Sequence, residues 1–136
     1  SAATNTGNQS AATNTGDQSA ATNTGYQSAA TNTGYQSAAT NTGDRSAATN
    51  TGYRSAATNT GYQSAAIVEG KESIAISTGA DGKAKGKIGC WLVLAEWQRA
   101  SDGWHIVDVK SFLVDGKEVK EDVFYSLKNG KAIEVE

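Results

Sequence analysis

Proline and methionine are absent from the 136 residues, and there is a single cysteine, Cys90, and a single histidine, His105. One Cys and one His cannot form a disulfide framework, a zinc site or an oriented Cys-His dyad, so no enzyme, metal or cofactor is expected. Without Met at position 1, the expectation is a chain that has lost a leader or is a fragment. Aromatic residues make up only 7% and the net charge is −2, which gives no electrostatic reason for nucleic acid or an anionic membrane as partner. No apolar run approaches the roughly 20 residues of a membrane span, so no membrane insertion is expected.

What is present is a repeat. Ser1-Ala2-Ala3-Thr4-Asn5-Thr6-Gly7-Asn8-Gln9 recurs from Ser10, Ser19, Ser28, Ser37, Ser46 and Ser55, giving seven near-perfect nonapeptides. Three degenerate units starting at Ser64, Ser73 and Gly82 complete ten. Charge divides the chain at the same place. Residues 1–66 carry only Asp17, Asp44, Arg45 and Arg54, whereas the remainder holds 10 of 12 basic and 12 of 14 acidic residues. Such a small, polar tract is short of apolar groups to offset ordering entropy and has the composition of a flexible linker. Near-exact repetition without Pro, and with Gly at one fixed place, instead favours stacked rungs whose identical residues form ladders.

Each unit reads as a six-residue strand followed by a Gly-x-x corner, with Gly expected to supply a positive φ. Alternation separates positions 1, 3 and 5 from positions 2, 4 and 6. Position 3 is Ala in all ten units, whereas Lys83, Lys85 and Lys87 occupy positions 2, 4 and 6 of the last. Three lysines will not sit in a tight core, so Ser, Ala and Asn point inward. The sequence therefore predicts an all-β protein: a parallel β-solenoid over residues 1–87, with two nonapeptides per coil, then a small antiparallel β capping or attachment module over residues 88–136. One nonapeptide per coil is the geometric alternative. Buried Asn at position 5 is expected to form an amide ladder from coil to coil.

In the second module, Asp115-Gly116 and Asn129-Gly130 are hairpin signals, and the strands around Trp91 and Trp104 are apolar. Ile67, Ile74 and Ile76 break the polar rule of the outer face and predict a patch against which the module folds back or another chain docks. Tyr26, Tyr35, Tyr53 and Tyr62 occupy the corner after Gly and predict an aromatic edge for lateral association or glycan stacking. Arg45 and Arg54 are expected to pair with Asp17 or Asp44. Lys83, Lys85 and Lys87 predict a solvated edge that discourages further strand pairing. The carboxylates Asp108, Glu118, Glu121 and Asp122 show no acid–base spacing, and the acidic Gly-Gly-x-Gly-x-Asp pattern of calcium β-rolls is missing.

The pairs Thr4/Thr6, Thr13/Thr15, Thr22/Thr24, Thr31/Thr33, Thr40/Thr42, Thr49/Thr51 and Thr58/Thr60 form a Thr-x-Thr array that resembles insect antifreeze β-solenoids. That resemblance covers the repeat half and implies ice binding by exposed Thr ranks; it departs from that family in lacking disulfides. The Ser-x-Ala and x-x-Gly periodicity of Ser19, Ala21, Gly25 and their equivalents loosely resembles trimeric autotransporter adhesin heads and phage fibre proteins. This implies an extracellular or virion-surface fibre, often trimeric, although the period here is nine rather than the longer adhesin repeat. The leading expectation is a self-assembling structural component of a fibre whose partner is itself, chains joining through solenoid ends, the Tyr edge or the isoleucine patch, with a cell-surface glycan or protein as a further partner. Ice binding, or receptor binding through residues 88–136, is the alternative.

Overall fold

A computed structural model describes residues 2–136; Ser1, expected from the repeat to face inward, lies outside the described residues. Consecutive nonapeptides alternate between two sheets. The strands β1 (Ala2–Asn5), β3 (Ala20–Asn23), β5 (Ala38–Asn41), β7 (Ala56–Asn59) and β9 (Ile74–Ser77) run parallel in the first. The second contains β2 (Ala11–Asn14), β4 (Ala29–Asn32), β6 (Ala47–Asn50), β8 (Ala65–Val68) and β10 (Lys83–Lys85). Ala3 pairs with Ala21, and Ala12 with Ala30, so each coil is 18 residues and contains two nonapeptides. The chain is a parallel β-solenoid of about five turns.

Inside lie Ala21, Ala30, Ala39, Ala48, Ala57, Ala66, Ala75 and Ala84, with the buried Asn and Ser of positions 5 and 1. A methyl-sized group contributes about 0.8 kcal/mol on burial, so two alanines per coil are a weak core. Internal hydrogen bonds, about 1 kcal/mol each net, are far more numerous here. Asn23 Nδ2 donates to the carbonyls of Ala29 (2.8 Å) and Ser10 (3.3 Å), both on the opposite side of the core and one coil apart. Asn41, Asn50 and Asn59 repeat this bridge. The expected Asn-to-Asn ladder is therefore replaced by amides that tie sheet to sheet. An inward amide meets two opposing main-chain carbonyls that have lone pairs to spare, and it uses both of its N–H groups on them.

Serine supplies the contacts along the stack. Ser28 Oγ accepts from the Ser10 amide at 3.1 Å and donates to the Gly7 carbonyl at 3.0 Å, both in the preceding coil. Glycine at position 7 is needed for a different reason from the one its turn context suggests. The residues with positive φ are at position 9: Gln18 (55°), Gln27 (54°), Gln36 (54°), Arg45 (55°) and their equivalents. The repeat glycines are instead packed backbone on backbone, because a β-carbon on Gly52 would lie 1.8 Å from the Gly34 carbonyl oxygen.

At the C-terminal end one more strand, Trp91–Ala100, adds parallel to β9, so the parallel stack runs past residue 87, and the last three strands add antiparallel. β11 (Trp91–Ala100) and β12 (Gly103–Leu113) extend the first sheet; β13 (Phe124–Lys128) and β14 (Lys131–Val135) extend the second. One hydrophobic cluster runs from Ala12 through Val68, Leu92, Leu94 and Val114 to Tyr125 and Leu127, so the small core of the coils widens into an ordinary one. Asn129-Gly130 forms the expected two-residue hairpin, with both residues at positive φ. Asp115-Gly116 does not join a hairpin: it opens the connection from β12 in the first sheet to β13 in the second. There Asp115 Oδ1 accepts from the amides of Lys117, Glu118 and Val119.

Candidate assembly and binding surfaces

An 18-residue coil places every second nonapeptide on the same side, and this sorts the surface residues. Thr4, Thr22, Thr40 and Thr58 stand in register on the outer face of the first sheet, while Thr13, Thr31 and Thr49 do so on the second. The position-6 threonines continue each rank: Thr6, Thr24, Thr42 and Thr60 on one side, Thr15, Thr33 and Thr51 on the other. Among the described residues the Thr hydroxyls make no hydrogen bond within the chain. Two flat polar arrays result, spaced by the strand separation of about 4.8 Å in one direction and about 6.7 Å along the strand.

The four corner tyrosines do not form one edge. Tyr35 and Tyr53 are stacked, with ring centroids 5.7 Å apart and planes 5° from parallel. Tyr26 and Tyr62 lie at the other corner, separated by Asp44, which takes the intervening coil and whose Oδ1 accepts from the Tyr62 amide at 2.9 Å. Asn8 and Asp17 likewise accept from the amides of Tyr26 and Tyr35. The short polar residues among the tyrosines therefore bridge coils rather than fill space. The arginines pair along their own columns, not with Asp17 or Asp44. Arg54 meets Glu72 at 3.5 Å and lies over the Tyr53 ring, while Arg45 Nε donates to Gln63. The Tyr35 and Glu72 surroundings hold the Arg54 guanidinium even more firmly protonated than usual.

The isoleucines are also divided. Ile67 is on the second sheet, and Ile74 and Ile76 are on the first, so the three do not make one patch. No strand folds back over them, because the C-terminal strands join edge to edge. The lysine triplet is not a free edge either: β10 pairs with β13, with Lys83 and Lys85 over the Phe124 ring and Lys87 bonded to Asp122. His105 is exposed at a turn with its Nε2 on Asp102, and Cys90 is buried with its Sγ directed to the Gly70 carbonyl.

A different apolar surface is present on the first sheet. Ile74, Trp91 and Leu113 stand side by side across β9, β11 and β12. Val109 pairs with Ala95 and Ile106 with Trp97 further along the same face. Exposures of 44% for Trp91, 52% for Val109, 48% for Ile106 and 42% for Leu113 make it a contiguous hydrophobic patch. Ile74 was already marked by its place in the repeat. The rest was hidden because β11 is apolar on both sides, and such a pattern reads as a strand covered twice.

A cleft of about 360 Å³ lies at the junction between the two sheets, bordered by Asp81, Lys83, Glu96, Trp97 and Lys128. Three of its polar groups are engaged internally: Lys83 Nζ on the Glu136 carbonyl, Glu96 on the amides of Asn129 and Gly130, and Trp97 Nε1 on the Thr78 carbonyl. Among the described residues no group of three His, Cys, Asp or Glu is placed to hold a metal ion, and no helix is long and apolar enough to cross a membrane. No protein-family model, curated protein or solved structure matches the chain.

Proposed function

We propose that this protein is a structural, self-assembling component of an extracellular fibre or filament, in which the coil stack is a stiff rod and chains join through exposed apolar surface. The observation carrying this reading is the rank Ile74, Trp91 and Leu113 with Val109 and Ile106 beside it, large side chains that one chain alone leaves in water. Contiguous apolar surface of this kind marks an interaction site rather than a solvated face. Placement outside the cell or on a virion rests on the likeness of the Ser, Ala and Gly repeat to surface fibres. Light scattering after size exclusion, run over a range of concentrations, tests the reading. Mass should rise with concentration; a mass fixed at one chain throughout overturns it.

The Thr arrays favour a second reading, recognition of an ordered surface such as ice. Unpaired hydroxyls repeated in two dimensions match a ligand that is itself periodic. Because the ranks lie on two opposite faces, each must be altered separately. Thr31, Thr33, Thr49 and Thr51 all belong to the second sheet, and replacing them with Lys leaves the first array intact. Thermal hysteresis that survives each set alone, and also survives replacement of this set together with the corresponding set Thr22, Thr24, Thr40 and Thr42, overturns ice binding.

A further inference from the structure

Among the described residues β1 and β2 are the outermost strands at one end of the two sheets, and β12 and β14 at the C-terminal end, where the two edges differ. β14 is five residues long and carries Lys131 and Glu134, the short charged edge that discourages pairing. β12 is eleven residues long, and Ile106, Val107, Val109 and Leu113 on it are exposed. The Val114 amide donates to Cys90 on the β11 side. Alternation in an antiparallel ladder then turns Phe112, Lys110 and Asp108 toward β11 and leaves the amides and carbonyls of Val109, Ser111 and Leu113 pointing outward.

We propose that β12 is a self-docking edge, on which a second copy of this chain adds its own β12 antiparallel about a two-fold axis at Val109. This rests on the self-assembly reading and names its surface. Charge selects the register. Centring the axis on Asp108 or Lys110 sets like charges directly opposite each other, which is unfavourable. Centring it on Ser111 sets Lys110 against Phe112 and adds nothing to the contacts that Lys110 Nζ makes in its own chain, 3.9 Å from Asp108 Oδ2 and 3.0 Å from the Gly130 carbonyl. Centring it on Val109 sets Asp108 of each copy against Lys110 of the other, twice by symmetry. The same choice makes Val109 exchange both main-chain hydrogen bonds with its own symmetry mate, as its outward amide and carbonyl require. The bulge at Glu96/Trp97, where Val107 is the extra residue and falls opposite Ser111 of the second copy, bounds the regular pairing about this axis to Asp108, Val109 and Lys110. The apolar faces of the two first sheets become continuous across the axis.

Two measurements on the full chain test this. In a Cys90→Ala background, Val109→Cys should form a disulfide-linked dimer under mild oxidation, because hydrogen-bonded antiparallel partners have α-carbons about 5.5 Å apart, within disulfide range. Asp108→Lys and Lys110→Asp, each alone, should weaken association about tenfold, and mixing the two variant chains should restore it, which the pair that Lys110 makes with Asp108 of its own chain cannot do. Association that persists without the crosslink and is indifferent to these charges overturns the β12 edge while leaving self-assembly standing. A wild-type chain that never associates overturns both.

Discussion

Gly43 lies directly over Gly25, so close that a β-carbon on Gly43 would sit 2.0 Å from the Gly25 carbonyl oxygen. The obstacle is backbone, which cannot swing aside as a side chain can. Gly43→Ala should therefore force adjacent coils apart and break the Ser46 hydroxyl contact to Gly25, destabilising the stack by more than about 3 kcal/mol. Thermal unfolding followed by circular dichroism checks this.

One corner earlier, Gln36 holds a left-handed backbone at φ 54°, a conformation that disfavours L side chains by roughly 1–2 kcal/mol. Gln36→Gly should leave the fold intact and raise its melting temperature, since the exposed amide contact from Gln18 at 3.4 Å is a small loss. The opposite signs expected for Gly43→Ala and Gln36→Gly separate close packing from positive φ as reasons for residue choice.

Asn41 joins the sheets through Ser28 and Ala47 and also accepts from the Gly43 amide. Asn41→Ala should destabilise by about 3 kcal/mol, because several main-chain groups lose their buried partner at once. At the equivalent place in β9, the Ser77 hydroxyl is buried without a partner. Ser77→Ala should be neutral or stabilising by about 1 kcal/mol, and denaturant titration of the pair reads the contrast.

The Asp115 carboxyl is held below its ordinary pKa of 3.8, mainly by hydrogen bonds from the Lys117 and Val119 amides, with Glu118 adding to them. A lowered folded-state value means the stabilisation is present above the ordinary value and is lost as pH falls through the folded one. The 115–119 turn should loosen only below about pH 3.8, and Asp115→Asn should abolish that acid-dependent step. Amide chemical shifts of Lys117 and Val119 against pH report it.

Much of this architecture is legible in a single nonapeptide. Invariant Ala at position 3 and lysines at positions 2, 4 and 6 of the last unit suffice to orient the faces, because burial discriminates sharply between a methyl and an ammonium. Asn129-Gly130 is legible too, since a two-residue turn demands two positive φ values that this pair tolerates. Asp115-Gly116 misleads because the same local turn chemistry serves a crossing between sheets.

The sequence by itself determined the period and the inward and outward positions, since these follow from side-chain size and charge along one strand. Tertiary structure decided that the coil closes at eighteen residues, and with it that Tyr26 and Tyr62 part from Tyr35 and Tyr53 and that Ile67 parts from Ile74. It also decided what the glycines and asparagines contact, and that β12 is left with an apolar face and an open edge. Nearly identical units cannot specify which copy stacks on which; only the paths of the backbone and the hydrogen bonds between coils do.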